Sequence, residues 1–398
     1  QGGKATYRNR YVRTRAFELE EAAGKALWPG IMMPVQLDNP HGPHKNTANT
    51  DLVFHAGKLL SLWWLGQEPY EVRPEDLSTV GPYDFAGRLG CGVAAHPKVD
   101  MQTGEMVFMD YSVLKPPYIT YGLVDAEGRL VRTVPIDLPG PRLLHDIAIT
   151  EHYTIFLDFP MTWDRAALMK GRRRVLFDRS LPARFGILPR HAERDETRWF
   201  ETSPCYMYHT INAYEDGDEI VLTGCRIDNP LPDAPAGPEV ATLEILQLVP
   251  YFWRWRFNLK TGAVKEEQLD DAPSEFPRMN NRLLGRRTRY SYNPRVAPKS
   301  TLLFDAVIKY DADAGRASTY EYGNEVYGGE VVFAPDPKGT AEDDGWLVTF
   351  TYDAREDASE FLVLDAREPE RGPVARVPIP QRVPIGFHAW WVEGARLG

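Results

Sequence analysis

The chain has 398 residues, of which 43% are hydrophobic, so it can bury a large core. Its net charge of −10 argues against a nucleic-acid-binding surface, because such a surface needs clustered lysines and arginines to neutralise phosphates. No stretch of the sequence approaches the roughly 18 apolar residues that a membrane span requires. The three cysteines are odd in number and show no CxxC spacing, which favours a reducing cytoplasm over a disulfide-rich secreted domain.

Helical periodicity is scarce along the chain. Short helices are expected only at 17–27 and 168–175. Elsewhere short apolar runs, often alternating with polar residues, are broken by Gly, Asp, Asn or Pro, which is typical of strands and hairpins. Hairpin turns are predicted at 55–57, 125–128, 215–218 and 260–262.

No obvious linker interrupts this series of hairpins. The pattern predicts an all-β fold, either a β-propeller or a very large sandwich, in a single domain over 1–398. No strict sequence repeat is visible, so blade signatures of the WD40 kind are absent. The proline-rich stretch 230–238 is expected to be an exposed loop within that domain.

Four of the nine histidines lie within or beside apolar segments that should be buried: His96, His145, His209 and His388. A buried imidazole needs a partner for both ring nitrogens, and a metal ion satisfies one of them. In a propeller the inner strands of successive blades converge on the axis, so residues far apart in sequence can meet there. HExxH and helical ligand spacing are absent, however, and most single histidines are surface or hydrogen-bonded residues. Spacing alone therefore leaves both a metal site and ordinary histidines open.

At these segments the chain closely resembles the carotenoid cleavage oxygenase family, which includes the bacterial lignostilbene-type dioxygenases. The matching motifs follow the family's order and cover nearly the whole chain. They are NTANT at 46–50, AHPK at 95–98, HDIAIT at 145–150, RFGILPR at 184–190, HTINAYE at 209–215, EFPR at 275–278, EDDG at 342–345 and GFH at 386–388.

The resemblance implies a seven-bladed β-propeller with a cap of loops and short helices over the face that carries an iron(II) ion. It places the iron ligands at the four histidines named above. Glu275 and Glu330 are similar to the family's glutamates that accept the outer N–H of ligand histidines, an interaction that fixes the imidazole tautomer. Thr50 resembles a threonine near an open coordination position, although an ordinary turn hydroxyl is the other interpretation.

Two departures from the family pattern concern the hairpin that follows Thr50. The family usually has a third such glutamate, and Trp64 stands where it would be, so one ligand histidine would need another acceptor or donate to water. The lignostilbene subgroup, which the segment 8–14 resembles, has a phenol-binding lysine near the position of Trp63. Trp63, Trp64 and Phe387 are the candidates for the wall of a substrate channel, with core packing as the alternative for the two tryptophans.

The departures also extend to the N-terminus. Family members carry a further stretch before the segment 5–15, so we expect the N-terminal part of the family fold to lie outside this sequence.

The reaction implied by the resemblance is cleavage of a carbon–carbon double bond, in which iron(II) and dioxygen convert an apolar alkene to two carbonyl products. The absent lysine and the Trp pair favour a carotenoid or apocarotenoid over a stilbenoid or phenylpropenoid. The segment 161–177, apolar with three consecutive arginines, is either a cap element or a weak membrane-surface contact. An inactive family member, an isomerase or a ligand-binding protein is the remaining alternative.

Overall fold

The computed structural model describes residues 5–231 and 246–394. It contains two short helices, α1 (Arg15–Ala23) and α2 (Arg165–Leu168). The helix α1 begins at Thr14, whose hydroxyl accepts the N–H of Phe17, and ends at Gly24 in the left-handed conformation. Within the described residues, no helix is both long and apolar enough to span a bilayer.

The prediction of a helix over 168–175 was wrong. Asp164 caps α2 and starts it earlier, and Gly171 then adopts a φ of 74° that ends any helical continuation. The carbonyl of Gly171 accepts the N–H of Val35 at 2.6 Å, so this close approach fixes the turn, and the chain next forms a strand from Val175.

The first two sheets are four-stranded antiparallel meanders. In both, sequential strands are neighbours. Their strands are β1 (Asp51–His55), β2 (Lys58–Leu62), β3 (Tyr70–Val72) and β4 (Thr79–Pro82), then β5 (Lys98–Val99), β6 (Met106–Tyr111), β7 (Ile119–Val124) and β8 (Leu130–Ile136).

The third and fourth sheets repeat this plan, with one excursion. The third sheet has the order β9-β10-β13-β14, and the pair β11 and β12 forms a separate two-stranded ribbon around α2. The strands are β9 (Ile147–Ile149), β10 (Tyr153–Asp158), β11 (Met161–Trp163), β12 (Val175–Phe177), β13 (Ala183–Pro189) and β14 (Arg198–Thr202), then β15 (Tyr206–Asp216), β16 (Glu219–Ile227), β17 (Tyr251–Asn258) and β18 (Val264–Gln268).

The last sheet has eight strands because β22 pairs with both β20 and β24 and so joins two meanders. Single-turn 3₁₀ helices lie at Asn281–Leu283 and Pro369–Arg371. The strands are β19 (Tyr290–Val296), β20 (Phe304–Asp311), β21 (Arg316–Glu321), β22 (Val326–Gly328), β23 (Val332–Pro335), β24 (Gly345–Asp353), β25 (Ala358–Asp365) and β26 (Pro373–Ile379).

These sheets confirm the all-β prediction and the four predicted hairpin turns. Gly57 and Gly217 illustrate the turns, since each adopts a positive φ that other residues rarely take. Most of the stretch 230–238, expected to be a loop, lies outside the described residues.

The first strands of three successive sheets lie side by side, because β9 contacts both β5 and β15. The later strands of each sheet bury alternate side chains, and these side chains form apolar clusters between neighbouring sheets. Phe185, Trp255 and Phe257 are fully buried in the largest cluster. Sequence-distant residues at the starts of β5, β9 and β15 are thereby brought together.

A buried arginine connects the second and third sheets. Arg190, 1% exposed at the end of β13, donates to Asp100 at 2.7 Å and to Glu105 at 3.1 Å in the β5–β6 turn. Asp100 is itself fully buried and also pairs with Arg286 at 3.3 Å. This ion-pair network fixes the two sheets relative to each other.

Replacement of Arg190 by Met should destabilise the fold by about 3 kcal/mol, because removing one partner leaves buried carboxylate charge under-compensated. The control is Arg194→Met, which removes an exposed pair and should change stability by no more than about 0.5 kcal/mol. Chemical denaturation measures both, and equal effects of the two substitutions would contradict the structural role of Arg190.

Candidate metal centre

Four histidine side chains from four parts of the chain converge on one point. Nε2 of His145 lies 3.1 Å from Nε2 of His96 and 3.2 Å from Nε2 of His209, and the ring of His388 is 4.5 Å from that of His96. One nitrogen from each ring lies within 4.8 Å of all the others. The structure thus brings together all four histidines that the sequence indicated.

Local backbone features aim two of these side chains. His96 precedes β5 with a φ of 72°, a left-handed conformation that is strained for a residue with a side chain. Hydrogen bonds from Ala94 to Met109 and from Ala95 to the carbonyl of Trp63 hold the approach to this turn. His209 lies in β15 within a β-bulge that shifts the register against β16. Such bulges redirect a side chain out of the regular alternation.

Three of the imidazoles have a carboxylate at the outer nitrogen, Nδ1. The distances are 3.0 Å from His96 to Oδ2 of Asp51, 2.5 Å from His209 to Oε2 of Glu275, and 2.9 Å from His388 to Oε1 of Glu330. Glu275 and Glu330 were expected there from the sequence, whereas Asp51 was missed. The signal that could have found Asp51 is a carboxylate at the start of an otherwise apolar strand, directly after Thr50.

These outer hydrogen bonds determine what the inner nitrogens can do. A carboxylate only accepts, so each Nδ1 must carry the proton and each corresponding Nε2 presents a lone pair. Lone pairs that meet at about 3 Å repel unless a cation lies among them. A proton can serve only one pair of nitrogens, whereas a metal ion serves all four, and neutral imidazole is a common metal ligand. The donor set therefore fits a metal ion.

Burial also favours the neutral form of the histidines, which is the form that binds a metal. It lowers the pKa of His145 and of His388 far below the ordinary value, and neighbouring histidines add to this effect. Burial also acts to lower the pKa of His209, but the charge and hydrogen bond of Glu275 outweigh it and raise that pKa. A cation bound at Nε2 of His209 would take the place of a proton there.

The buried charges around the rings leave a net negative balance. Lys98 pairs with Asp146 at 2.7 Å, and Arg278 pairs with Glu330 at 2.8 Å. Together with Asp51 and Glu275, four carboxylates face two cations, so two negative charges remain for a divalent cation to neutralise. Oε1 of Glu275 is buried and has no hydrogen-bond partner, which is costly unless a positive charge lies nearby.

The space around the rings is polar on the carboxylate side. A cavity of about 50 Å³, lined by His96, His209 and His388 together with Lys98 and Arg278, is large enough for water. His145 is not part of its lining.

The ring of His145 instead meets aromatic side chains. It contacts Tyr208 edge-to-face at 4.9 Å, and Tyr208 packs against Tyr206 and the apolar cluster that includes Trp64 and Trp163. The four histidines therefore lie between a charged cavity and an aromatic region.

The remaining predicted residues are placed as follows. The hydroxyl of Thr50 accepts the N–H of Trp64 at 3.1 Å, and its carbonyl accepts the N–H of His388 at 3.4 Å. Trp63 is 8% exposed, and Trp64 stacks on Trp163 at 6.5 Å. Phe387 is 55% exposed and lines a cavity of about 180 Å³ that reaches Glu330 and His388.

Comparison with known proteins identifies close relatives over the full length of the chain. A carotenoid 9,10(9',10')-cleavage dioxygenase 1 from Pisum sativum is 37% identical over 99% of this chain and 79% of its own length. A carotenoid cleavage oxygenase from Mycobacterium tuberculosis is 32% identical over 98% of this chain and 84% of its own length.

Solved structures show the same likeness in three dimensions. A lignostilbene dioxygenase from Pseudomonas brassicacearum superposes with a TM-score of 0.86 at 27% identity, over 97% of this chain and 84% of that one. The cobalt-substituted Synechocystis apocarotenoid oxygenase gives a TM-score of 0.81 at 26% identity, over 96% and 83% of the two chains. The family model described as retinal pigment epithelial membrane protein, RPE65, matches residues 1–393. The chain therefore belongs to the RPE65 and carotenoid cleavage oxygenase family.

Proposed function

We propose that this protein is an iron(II)-dependent oxygenase that cleaves a carbon–carbon double bond of a carotenoid or apocarotenoid with dioxygen, giving two carbonyl products. The observation that carries the proposal is the convergence of four imidazole nitrogens, three of them on rings whose outer nitrogen is bonded to a buried carboxylate. The relatives named as carotenoid cleavage dioxygenases support the reaction type and the substrate class.

The proposed ligands are His96, His145, His209 and His388, and bound iron would supply the activation of dioxygen. Glu275 and Glu330 hold two of the rings in the tautomer that leaves Nε2 free to bind. Thr50, fixed between the backbones of Trp64 and His388, is proposed to lie beside an open coordination position.

The aromatic side chains next to His145 are proposed to bind the alkene. Tyr208, Trp64 and Trp163 present rings of large area with little conformational freedom, so they can hold an apolar chain and exclude water from it. Trp63 and Phe387 are further candidates for the wall, although Phe387 lies at the surface cavity described above.

The finer architecture is also a proposal. The side-by-side first strands support a seven-bladed propeller, of which the described residues form four complete four-stranded sheets and a joined pair of meanders. The contacts of the segment 31–35 with Gly171 and Arg173 support a cap built from loops and the ribbon around α2.

A stilbenoid or phenylpropenoid is the second candidate substrate, and the likeness to the lignostilbene dioxygenase structure favours it. A non-oxygenase member that isomerises or only binds its ligand is the third possibility. Incubation of the iron-loaded protein with apocarotenals, carotenoids and stilbenes under isotope-labelled dioxygen separates the three.

Labelled aldehydes from the polyenes would support the proposal, and aldehydes from stilbenes alone would favour the second candidate. Isomerised or unchanged ligand in every arm would favour the third.

Replacement of His209 by Ala should abolish both metal binding and turnover, because one of the four proposed ligands is lost. Bound iron should fall from about one equivalent to less than about a tenth by elemental analysis. His152→Ala is the control, since His152 is an exposed histidine that also pairs with a glutamate. Turnover by the His209 variant at the rate of the control would refute the ligand assignment.

Replacement of Glu275 by Gln should weaken metal affinity about 10- to 100-fold, because the amide no longer supports the His209 tautomer with a full negative charge. The matched control is Glu215→Gln. Glu215 also accepts from a histidine Nδ1, that of His152, at 2.9 Å, but this pair lies at the surface. Competition with a chromophoric chelator measures both affinities, and equal values would contradict the role of Glu275.

A weak membrane-surface contact is proposed for the region where the segment 161–177 meets the segment 31–35. Arg173 donates to the carbonyl of Ile31 at 3.0 Å, and nearby Ile31, Met33 and Met169 are 55%, 60% and 68% exposed. Exposed apolar side chains beside arginines suit the surface of an anionic bilayer.

Sedimentation with anionic liposomes should show binding that the double change Ile31→Ser and Met169→Ser reduces severalfold. Val374→Ser, at an equally exposed position on β26, is the control. Liposome binding that is absent, or equal in the two variants, would contradict the contact.

A further inference from the structure

The family pattern has a third carboxylate at the position of Trp64, and this chain lacks it there. Asp51 is the residue that provides a third carboxylate at the cluster. It is the first residue of β1, is 7% exposed, and its Oδ2 accepts the Nδ1–H of His96 at 3.0 Å. Its other oxygen accepts the N–H of the next residue, Leu52, at 2.8 Å, which fixes the rotation of the carboxylate.

The charge of Asp51 is directed at the metal centre. Its Oδ2 faces the outer nitrogen of His96, and Asp51 lines the same cavity as that ring. His388 and Arg278 line the same cavity as Asp51. Among the described residues, the side chain found within hydrogen-bond distance of the Asp51 carboxylate is that of His96.

Trp64 lies on the other arm of the same hairpin. Asp51 is paired with Leu62 in the β1–β2 ladder, so Trp64 follows two residues after the partner of Asp51. The backbone N–H of Trp64 donates to Thr50, the neighbour of Asp51, and its indole stacks on Trp163 and contacts Trp63. The side chain at position 64 thus packs among aromatic rings while the carboxylate comes from position 51.

We propose that Asp51 is the positioning residue for His96, and that its presence frees position 64 to carry an aromatic side chain beside the metal centre. The two positions then form an exchangeable pair, because a carboxylate from either arm of the hairpin can accept the outer N–H of His96. This inference rests on the proposed metal centre, and it concerns how the ring of His96 is held.

The physical reason lies in the tautomer. With Asp51 present, the proton of His96 stays on Nδ1 and Nε2 keeps its lone pair for the metal. Without it, a buried ring at a strained backbone position has neither a fixed tautomer nor a fixed rotation. The loss should therefore appear in metal binding itself, before any reaction.

The test uses cobalt(II) as the probe and measures its affinity by competition and its ligand-field absorption spectrum in the intact protein. Asp51→Ala should weaken affinity about 10- to 100-fold and shift the absorption bands. Asp51→Asn, which keeps the shape and one acceptor oxygen, should have a smaller effect of the same sign. Asp76→Ala, at a partly exposed site beyond β3 where the carboxylate also accepts a backbone N–H, is the control and should match the parent protein.

The decisive variant combines Asp51→Ala with Trp64→Glu. Recovery of most of the lost affinity, together with return of the bands, would support an exchangeable pair, because a purely structural role of Asp51 would not be rescued from the opposite strand. Parent-like cobalt binding in Asp51→Ala, or no recovery in the double variant, would overturn the proposal.

If Asp51→Ala does not fold, Asp51→Asn is tested alone and together with Trp64→Glu. The proposal would be overturned if Asp51→Asn had the cobalt affinity and absorption bands of the parent protein and the added Trp64→Glu gave no gain in affinity. Failure of the parent protein to bind cobalt would instead overturn the proposed metal centre, on which this inference rests.

Discussion

The structure depends on one requirement, that several buried imidazoles point their unprotonated nitrogens at the same small volume. Three outer hydrogen bonds, to Asp51, Glu275 and Glu330, enforce this for His96, His209 and His388. The arrangement is unfavourable by itself because lone pairs meet, and a divalent cation makes it favourable. The fold therefore holds a set of donor groups that fits a divalent cation.

The β-sheets meet this requirement through their edges and irregularities. The adjacent first strands β5, β9 and β15 bring three of the histidines together, and the segment after β26 adds His388. The positive φ of His96 and the bulge around His209 are local departures from regular geometry, each costing free energy that the packed sheets offset. Both departures lie at histidines of the cluster, and strained backbone is concentrated at functional sites.

Much of this was predictable from the sequence for identifiable reasons. Alternating apolar residues and glycine turns indicated the hairpins, and the buried context of four histidines marked them as candidates. Their convergence could not be derived from spacing, because it depends on which strands become neighbours. The ordered family motifs supplied that information, and Glu275 and Glu330 followed from the same motifs.

The failures have physical causes too. The helix expected at 168–175 does not form because Gly171 makes a tertiary hydrogen bond with Val35. Local periodicity in the sequence does not indicate such a contact. Asp51 could not be predicted because the family pattern places the third carboxylate at position 64. Asp51 and Trp64 lie on the two arms of one hairpin, and that proximity exists only in three dimensions.

We propose that these four histidines hold one iron ion. Anomalous diffraction at the iron edge, from crystals of the iron-loaded protein, tests it most directly. A single peak is expected about 2 Å from Nε2 of each of His96, His145, His209 and His388. A peak bound elsewhere, or no peak among these four nitrogens in a protein that has taken up iron, would contradict it.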